Sequence, residues 1–346
     1  LLLPSLTESF IPMEFHIEFF PKPFPRKISH QHNLMLVGSC FTEQIGAKLI
    51  WNKFRVMQNP NGILFNPISI LKSISRYATG TEYTKDDLFE HNGIWGSWDH
   101  HTRFSSASPD ICLSKINSSL KSANAFLKSA NWIFLTLGSA FIYERKEISG
   151  NENYTQVVAN CHKIPPDRFH RRLLQNAETI SILQKIIDVI LRVNPTANIV
   201  FTISPVRHLR DGFIENNRSK AALIQAVHSV TNEHNVFYFP AYELVIDDLR
   251  DYRFYTEDMV HPNYAATNYV WEKFIATIID DASKALMKDV SSVMNARNHK
   301  AFNPNSEQHK KFLQANIDKI MVLNRSNPEI DFEEELNYFE LELKRN

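Results

Sequence analysis

Short apolar runs alternate with longer stretches of helical spacing along most of this chain. Leu34–Val37 reads as a first buried strand, and Phe41, Ile45 and Leu49 then recur at i, i+4 and i+8 of a helix. Phe54–Met57 reads as a second strand that ends in the turn QNPNGILFNP, and a helix follows near Ile68–Tyr77. A polar, aromatic insertion from Thr79 to Ser108 contains HNGIWGSWDHHTRF. Beyond it Ile111–Ser129 has helical spacing and Trp132–Leu137 is strand-like. Phe141–Glu144 and Thr155–Val158 flank a tip rich in turn residues, which predicts a hairpin. The pattern further predicts helices at Asn176–Val193, Lys220–Glu233 and Tyr264–Ile279, and strands at Ile199–Ile203 and Val236–Phe239. The first of these helices stops short of Pro195, whose ring disfavours helix in the residue before it.

Apolar strands this short, separated by helices, predict an α/β fold: a three-layer α/β/α sandwich around a mostly parallel sheet. From about Asp289 the composition turns polar and charged, yet QHKKFLQANIDKIMVL keeps helical spacing, so a C-terminal helical appendage is expected. The expected organisation is an N-terminal segment (1–27), a main domain (28–285) and a helical extension (286–346).

Composition narrows the function classes. Lys plus Arg and Asp plus Glu number 38 each in 346 residues, so no charge excess suggests a nucleic-acid or anionic-membrane surface. The longest apolar runs are too short to span a bilayer. Cys40, Cys112 and Cys161 are odd in number and widely spaced, which fits neither a disulfide framework nor a zinc knuckle and suits a reducing, cytoplasmic setting. LLLPSLTESFIP lacks a starting Met and a basic n-region, which argues against a signal peptide, and Met13 is an alternative natural start.

Ligands of open α/β sheets bind beyond the carboxyl ends of the strands. The residues there are Gly38-Ser39-Cys40, Asn59 to Gly62, Gly138-Ser139-Ala140, Ser204 to His208 and, last, YTEDMVHPN with Asp258 and His261. A serine at a strand-to-helix turn can expose its hydroxyl beside free helix N–H groups, and D-x-x-H lets a carboxylate orient an imidazole. Ser39 is therefore the expected nucleophile, His261 its base and Asp258 the orienting acid. Cys40 competes for the first role, because a thiol at a helix N-terminus gains reactivity. Adjacent side chains diverge at a turn, so Cys40 is read as packing behind Ser39.

VGSCF together with DMVHPN resembles the GSCFA family of bacterial proteins, which is related to SGNH (GDSL-like) hydrolases and plant-type PC-esterases. The resemblance runs from about Ile28 to Ile278, through ISHQHNLMLVGSCFTEQIG, NPNGILFNP, DLFEHNGIWGSWDHHTRF, LTLGSAFIY, VVANCHKIP, FTISPVRHLRDG and DYRFYTEDMVHPNYAATNYVWEKF. It implies an SGNH-like domain with Ser39, Asp258 and His261 as a triad. It also implies an oxyanion hole made of the Ser39 amide, a glycine matching Gly62, and an asparagine after the third strand. The chain departs from that pattern: Cys40 replaces the Ser of G-D-S, Thr42 stands where the family name has Ala, and Ala140 occupies the asparagine's place. Gly138 is a further oxyanion-hole candidate, and Asn160, returned toward it by the expected hairpin, is the candidate substitute for the asparagine.

Trp98, Asp99, His100 and His101 offer aromatic and polar groups, but their spacing matches no strong metal signature, and no metal or other cofactor is expected. His101, His162, Arg207 and His208 are the substrate-binding candidates, Arg207 alternatively pairing with a buried carboxylate. The expectation is a serine esterase acting on an acyl ester of a small molecule or carbohydrate. An O-acyltransferase with the same acyl-enzyme, or a non-catalytic carbohydrate-binding protein, is the alternative.

Overall fold

Six-residue runs buried along nearly their whole length cannot face water on either side, and they form the centre of the sheet. In a computed structural model, which describes residues 16–146, 157–232 and 234–345, strand β1 (Asn33–Gly38) lies between β2 (Arg55–Gln58) and β5 (Trp132–Leu137). Strands β8 (Asn198–Ile203) and β9 (Val236–Phe239) complete a five-stranded sheet of order β2-β1-β5-β8-β9, parallel throughout. Its register sets Leu34 beside Trp132 and Trp132 beside Asn198.

Successive strand residues point to opposite faces, so each strand feeds two cores. Met35 and Val37 pack with Ile133, Leu135, Ile199 and Phe201 under α2 (Pro67–Thr79), α3 (Pro109–Ser129), α4 (Asn176–Val193) and α5 (Phe213–Val230). Leu34 and Leu36 pack with Trp132, Phe134 and Phe237 against α1 (Cys40–Trp51) and α7 (Tyr264–Ile278). Between β9 and α7 the chain makes a short α6 (Ala241–Glu243) that runs on as a π-helix over Leu244–Leu249. Side-chain caps fix the helix starts: Asn66 accepts from the Ser69 N–H at 2.8 Å before α2, and Asn263 from the Ala266 N–H at 3.1 Å before α7.

Two small hairpins lie outside the main sheet. In the insertion, β3 (Phe89–His91) pairs with β4 (Ile94–Gly96) across Asn92-Gly93, both with positive φ, as a tight hairpin turn requires. Of the expected pairing of Phe141–Glu144 with Thr155–Val158, the described end is present: Val157 bridges Glu144 antiparallel, and the Val158 N–H donates to the Tyr143 carbonyl at 2.9 Å. Strand β6 (Phe141–Arg145) also pairs along its length with β7 (Phe169–Leu173), Phe141 opposite Leu173, a partner the pattern does not predict. Antiparallel pairing with the later strand lets Arg172 reach Glu144 at 3.0 Å and Glu178 at 2.8 Å. Thr155 and Met13 lie outside the described residues.

The C-terminal helices α8 (Asp281–Asn298), α9 (Glu307–Ser326) and α10 (Glu333–Arg345) enclose a core of their own, including Val290, Val293, Ile317, Ile320, Phe332 and Phe339. Helix α8 starts at Asp281, so the compositional shift near Asp289 falls inside a helix rather than at a boundary. No helix among the described residues is long and apolar enough to cross a membrane.

Candidate functional site

The β1–α1 turn opens the site. Gly38 sits at φ 148, and a Cβ there would lie 2.2 Å from the Thr136 carbonyl oxygen, so only glycine fits beside β5. Its N–H donates to Asn59 Oδ1 at 2.8 Å, which ties the turn to the loop after β2. Ser39 follows as the N-cap of α1, in extended conformation and with no side-chain cap bond. It is 0% exposed, and its Oγ is buried without a hydrogen-bond partner. Cys40, the first helical residue, is only partly buried. Its sulfur lies against the amides of Cys40 and Phe41, while burial pushes its thiol pKa up.

Across the rim, Asp258 Oδ2 accepts from His261 Nδ1 at 2.6 Å. Asp258 Oδ1 accepts from Thr256 Oγ1 at 2.6 Å and from the N–H groups of Val260 and His261 at 2.8 and 3.0 Å. The hydrogen bond from Thr256, followed by those from His261 and Val260, holds this carboxyl well below the usual carboxylate range. The loop is anchored to the strand ends, since the Arg207 N–H donates to the Val260 carbonyl at 3.0 Å. The Asp258–His261 pair thus has the geometry of a base and its orienting acid, with His261 only partly buried.

Between these two loops lies a group that sequence patterning did not single out. Lys220, on α5, is 1% exposed and donates to the carbonyls of Gly138 and Ser204, both at 2.7 Å. Burial pulls its pKa down to about 7, and the charge of Cys40 acts the other way, so the two groups interact. The same face of α5 supplies Ser219, whose Oγ accepts the Ala140 N–H at 2.8 Å, and Asn216, whose Oδ1 accepts the His208 N–H at 2.9 Å. His208 in turn is driven down to about 3 by burial and by the nearby positive charges of Lys220 and His261. Its Nε2 is buried without a partner.

A family model described as the GSCFA family matches residues 33–274, which takes in both rim loops and every strand of the sheet. The chain belongs to the GSCFA family. A second model, the C-terminal domain of GSCFA domain proteins, matches residues 290–345. No curated protein matches the chain. Solved structures that resemble it include a carbohydrate esterase family 3 protein from Talaromyces cellulolyticus, at 9% identity and a TM-score of 0.34 over 75% of this chain and 99% of that one. Another is a mutant acetyl esterase with acetate ion, at 9% identity and a TM-score of 0.35 over 76% and 99% of the two chains.

In this GSCFA chain the three amides expected to form an oxyanion hole are already committed. The Ser39 N–H donates to the Thr136 carbonyl at 3.2 Å, that of Gly62 to Asn59 at 2.8 Å, and that of Gly138 to Phe65 at 2.8 Å. Buried backbone groups must be paired, and close packing of the strand-end loops pairs these with one another. Gly62 is glycine because His101 presses on it: an added Cβ would lie 2.3 Å from His101 Cβ. Asn160 Oδ1 accepts the His162 N–H at 2.7 Å, which makes it a turn residue. Ala140, in the asparagine's place, is wholly buried and carries no side-chain donor.

His162 reaches the Ser97 carbonyl at 2.9 Å and packs edge-on to Phe89 and Trp98. His101 caps a short turn through Arg103, and buried His100 is held by Ser97 Oγ at 3.0 Å, its pKa pulled down to about 4 by burial. Asp99 pairs with Lys72. The Trp98–His101 stretch is thereby dispersed into separate contacts. Among the described residues no group of three or more His, Cys, Asp or Glu side chains is placed to hold a metal ion. Arg207 pairs with no carboxylate among the described residues. Its guanidinium lies 5.0 and 4.8 Å from the ring centres of Tyr252 and Tyr255, and its Nη1 has no partner.

A cavity of about 750 Å³ extends from His208 along the β5 end of the sheet. Phe65, Phe141, Tyr143 and Phe169 give it aromatic walls, and Asn160, His162, Arg171 and Arg210 give it polar ones. His208 belongs both to this lining and to the charged cluster, so cavity and cluster are contiguous.

Proposed function

We propose that this protein is a carboxylic-ester hydrolase that works through an acyl-enzyme, with an O-acylated carbohydrate as substrate. The observation that carries the reading is the Asp258–His261 pair at 2.6 Å, presented on the same sheet edge as the β1–α1 turn and its reactive side chains. In the proposed reaction a side chain of that turn attacks the ester carbonyl as His261 takes its proton. His261 then returns the proton to the departing alkoxide, and a water activated by the same imidazole releases the acid. Asp258, held as the carboxylate, keeps His261 Nδ1 protonated and Nε2 free to accept.

The cavity supports a sugar on the alcohol side. Its aromatic walls suit the apolar face of a pyranose, and its amide, imidazole and guanidinium groups suit the hydroxyls. Transfer of the acyl group to a second sugar uses the same intermediate, and acceptor-dependent product formation is its signature. The committed amides of Ser39, Gly62 and Gly138 favour a second reading, a carbohydrate-binding protein without turnover. A panel of acylated sugars and activated esters separates the readings. Hydrolysis by the wild type that is lost in His261→Ala supports the enzyme, and sugar binding without hydrolysis supports the binding protein.

A further inference from the structure

We propose that Cys40, rather than Ser39, is the nucleophile of this site, with Lys220 positioned to favour its thiolate. The inference rests on the ester-hydrolase reading and names the atom that attacks.

Ser39 is badly placed to attack. It is 0% exposed, and its Oγ is shut away with no hydrogen-bond partner among the described residues, an imidazole included. An acyl carbon cannot approach an atom closed off by its own turn. Its amide is fixed to Thr136, so the whole residue belongs to the β1–β5 junction. One residue on, the geometry reverses. Cys40 is partly exposed and opens a 12-residue helix, and the amides of Cys40 and Phe41 face its sulfur with the partial positive charge of a helix N-terminus.

Lys220 and His208 link this point to the Asp258–His261 pair through interacting charges. Lys220 is wholly buried, carries two carbonyl partners and interacts with the charge of Cys40. Burying an ammonium is costly, and the two carbonyls supply hydrogen bonds but no compensating negative charge, which a thiolate at Cys40 would provide. His208, with its unpartnered Nε2, lies between Lys220 and His261 in this chain of interacting charges. His261 and Asp258 supply the base. Burial keeps the Cys40 thiol protonated at rest, so the thiol needs that base, and the lysine lowers the cost of the anion once formed.

The step balances. The Cys40 S–H proton passes to His261 Nε2, sulfur bonds to the carbonyl carbon, and the ester C–O bond breaks as His261 protonates the alkoxide. Water, deprotonated by His261, then attacks the thioester. The C–S bond breaks, the acid leaves, and the thiolate recovers its proton.

The test uses the full chain with p-nitrophenyl acetate, acid quenching and peptide mapping of the trapped acetyl group. The expected result is acetyl on Cys40 in the wild type and also in Ser39→Ala, removable by neutral hydroxylamine as a thioester is. Cys40→Ala, and the nearly isosteric Cys40→Ser as a guard against misfolding, should each lose turnover roughly 10³-fold or more. Acetyl on Ser39, or turnover that survives in Cys40→Ala, overturns the proposal.

Iodoacetamide reads the thiol without any ester. Cys40 should alkylate at least roughly tenfold faster than Cys161, also partly buried, and the advantage should shrink in Lys220→Met and His261→Ala. Equal rates at the two cysteines overturn the assignment of Cys40. Fast, His261-dependent alkylation with no turnover of any ester would instead sink the hydrolase reading and support the nucleophile.

Discussion

Asp258 directs one carboxylate oxygen at His261 and holds its own loop together with the other, through Thr256 and two backbone N–H groups. An amide in its place would keep the shape and lose the charge that fixes the imidazole tautomer. Asp258→Asn is therefore expected to lower kcat roughly 10²- to 10⁴-fold with little change in KM, as steady-state kinetics on an activated ester would show. At this scale the D-x-x-H pair was legible in the sequence, because four consecutive positions of one loop fix its geometry almost by themselves. The choice between Ser39 and Cys40 was not. Which of two neighbours faces the crevice depends on the turn's dihedral angles and on what β5 and α5 bring against it. The same holds for the oxyanion amides: Gly62 and Gly138 occupy the rim positions expected of them, but their N–H groups were claimed by loops whose approach no spacing reveals.

Among the elements, α5 shows why some of the site stayed hidden. Hydrophobic patterning predicts a helix from Lys220, whereas the helix begins at Phe213. Its first turns are inverted: Phe213 and Ile214 are 57% and 74% exposed, while Asn216, Ser219 and Lys220 are buried and bond the loops after β5 and β8. An amphipathic search looks for apolar residues inside and passes over such a face.

Lys220 gives this inversion a measurable consequence. Its folded pKa, about 7, lies below the ordinary lysine value of 10.5, so between those limits the unfolded chain binds the extra proton. Wild-type stability, measured against Lys220→Met, should accordingly rise with pH from 7 toward 10.5, by up to roughly 1.4 kcal/mol per pH unit, and flatten below pH 7. Urea unfolding at pH 7 and 9.5 checks the sign. The five strands of the main sheet and helices α2, α3, α4 and α7 were legible to within a residue or two because they obey the ordinary pattern. The β3–β4 hairpin carried a signal of its own in Asn92-Gly93. Strand β7 went unread because His170, Arg171 and Arg172 interrupt its apolar residues, so its pairing with β6 leaves no period-two signal.

For the whole molecule, the C-terminal helices are joined to the sheet domain through a charged contact. Glu335 is 1% exposed and pairs with Lys53, at the end of α1, at 2.6 Å and with Arg297 of α8 at 2.8 Å. Removing the carboxylate leaves two cations facing a closed gap. Glu335→Ala should therefore destabilise by about 2–3 kcal/mol, the buried-pair range discounted for the partial exposure of both partners. Denaturant unfolding followed by a probe in each region would read this, and the catalytic constants should hold, because α8–α10 contribute no residue to the rim. The helical spacing of the tail made its helices legible despite its polar composition, and the shift near Asp289 falls inside α8, which begins at Asp281.

The most direct test of the whole account is the initial rate of hydrolysis of a panel of O-acetylated sugars and activated esters by the full chain and by His261→Ala. Turnover of at least one member by the wild type is expected, with a loss of roughly 10²-fold or more in the variant. A wild type that hydrolyses none of them, or a His261→Ala chain that hydrolyses them equally well, would contradict it.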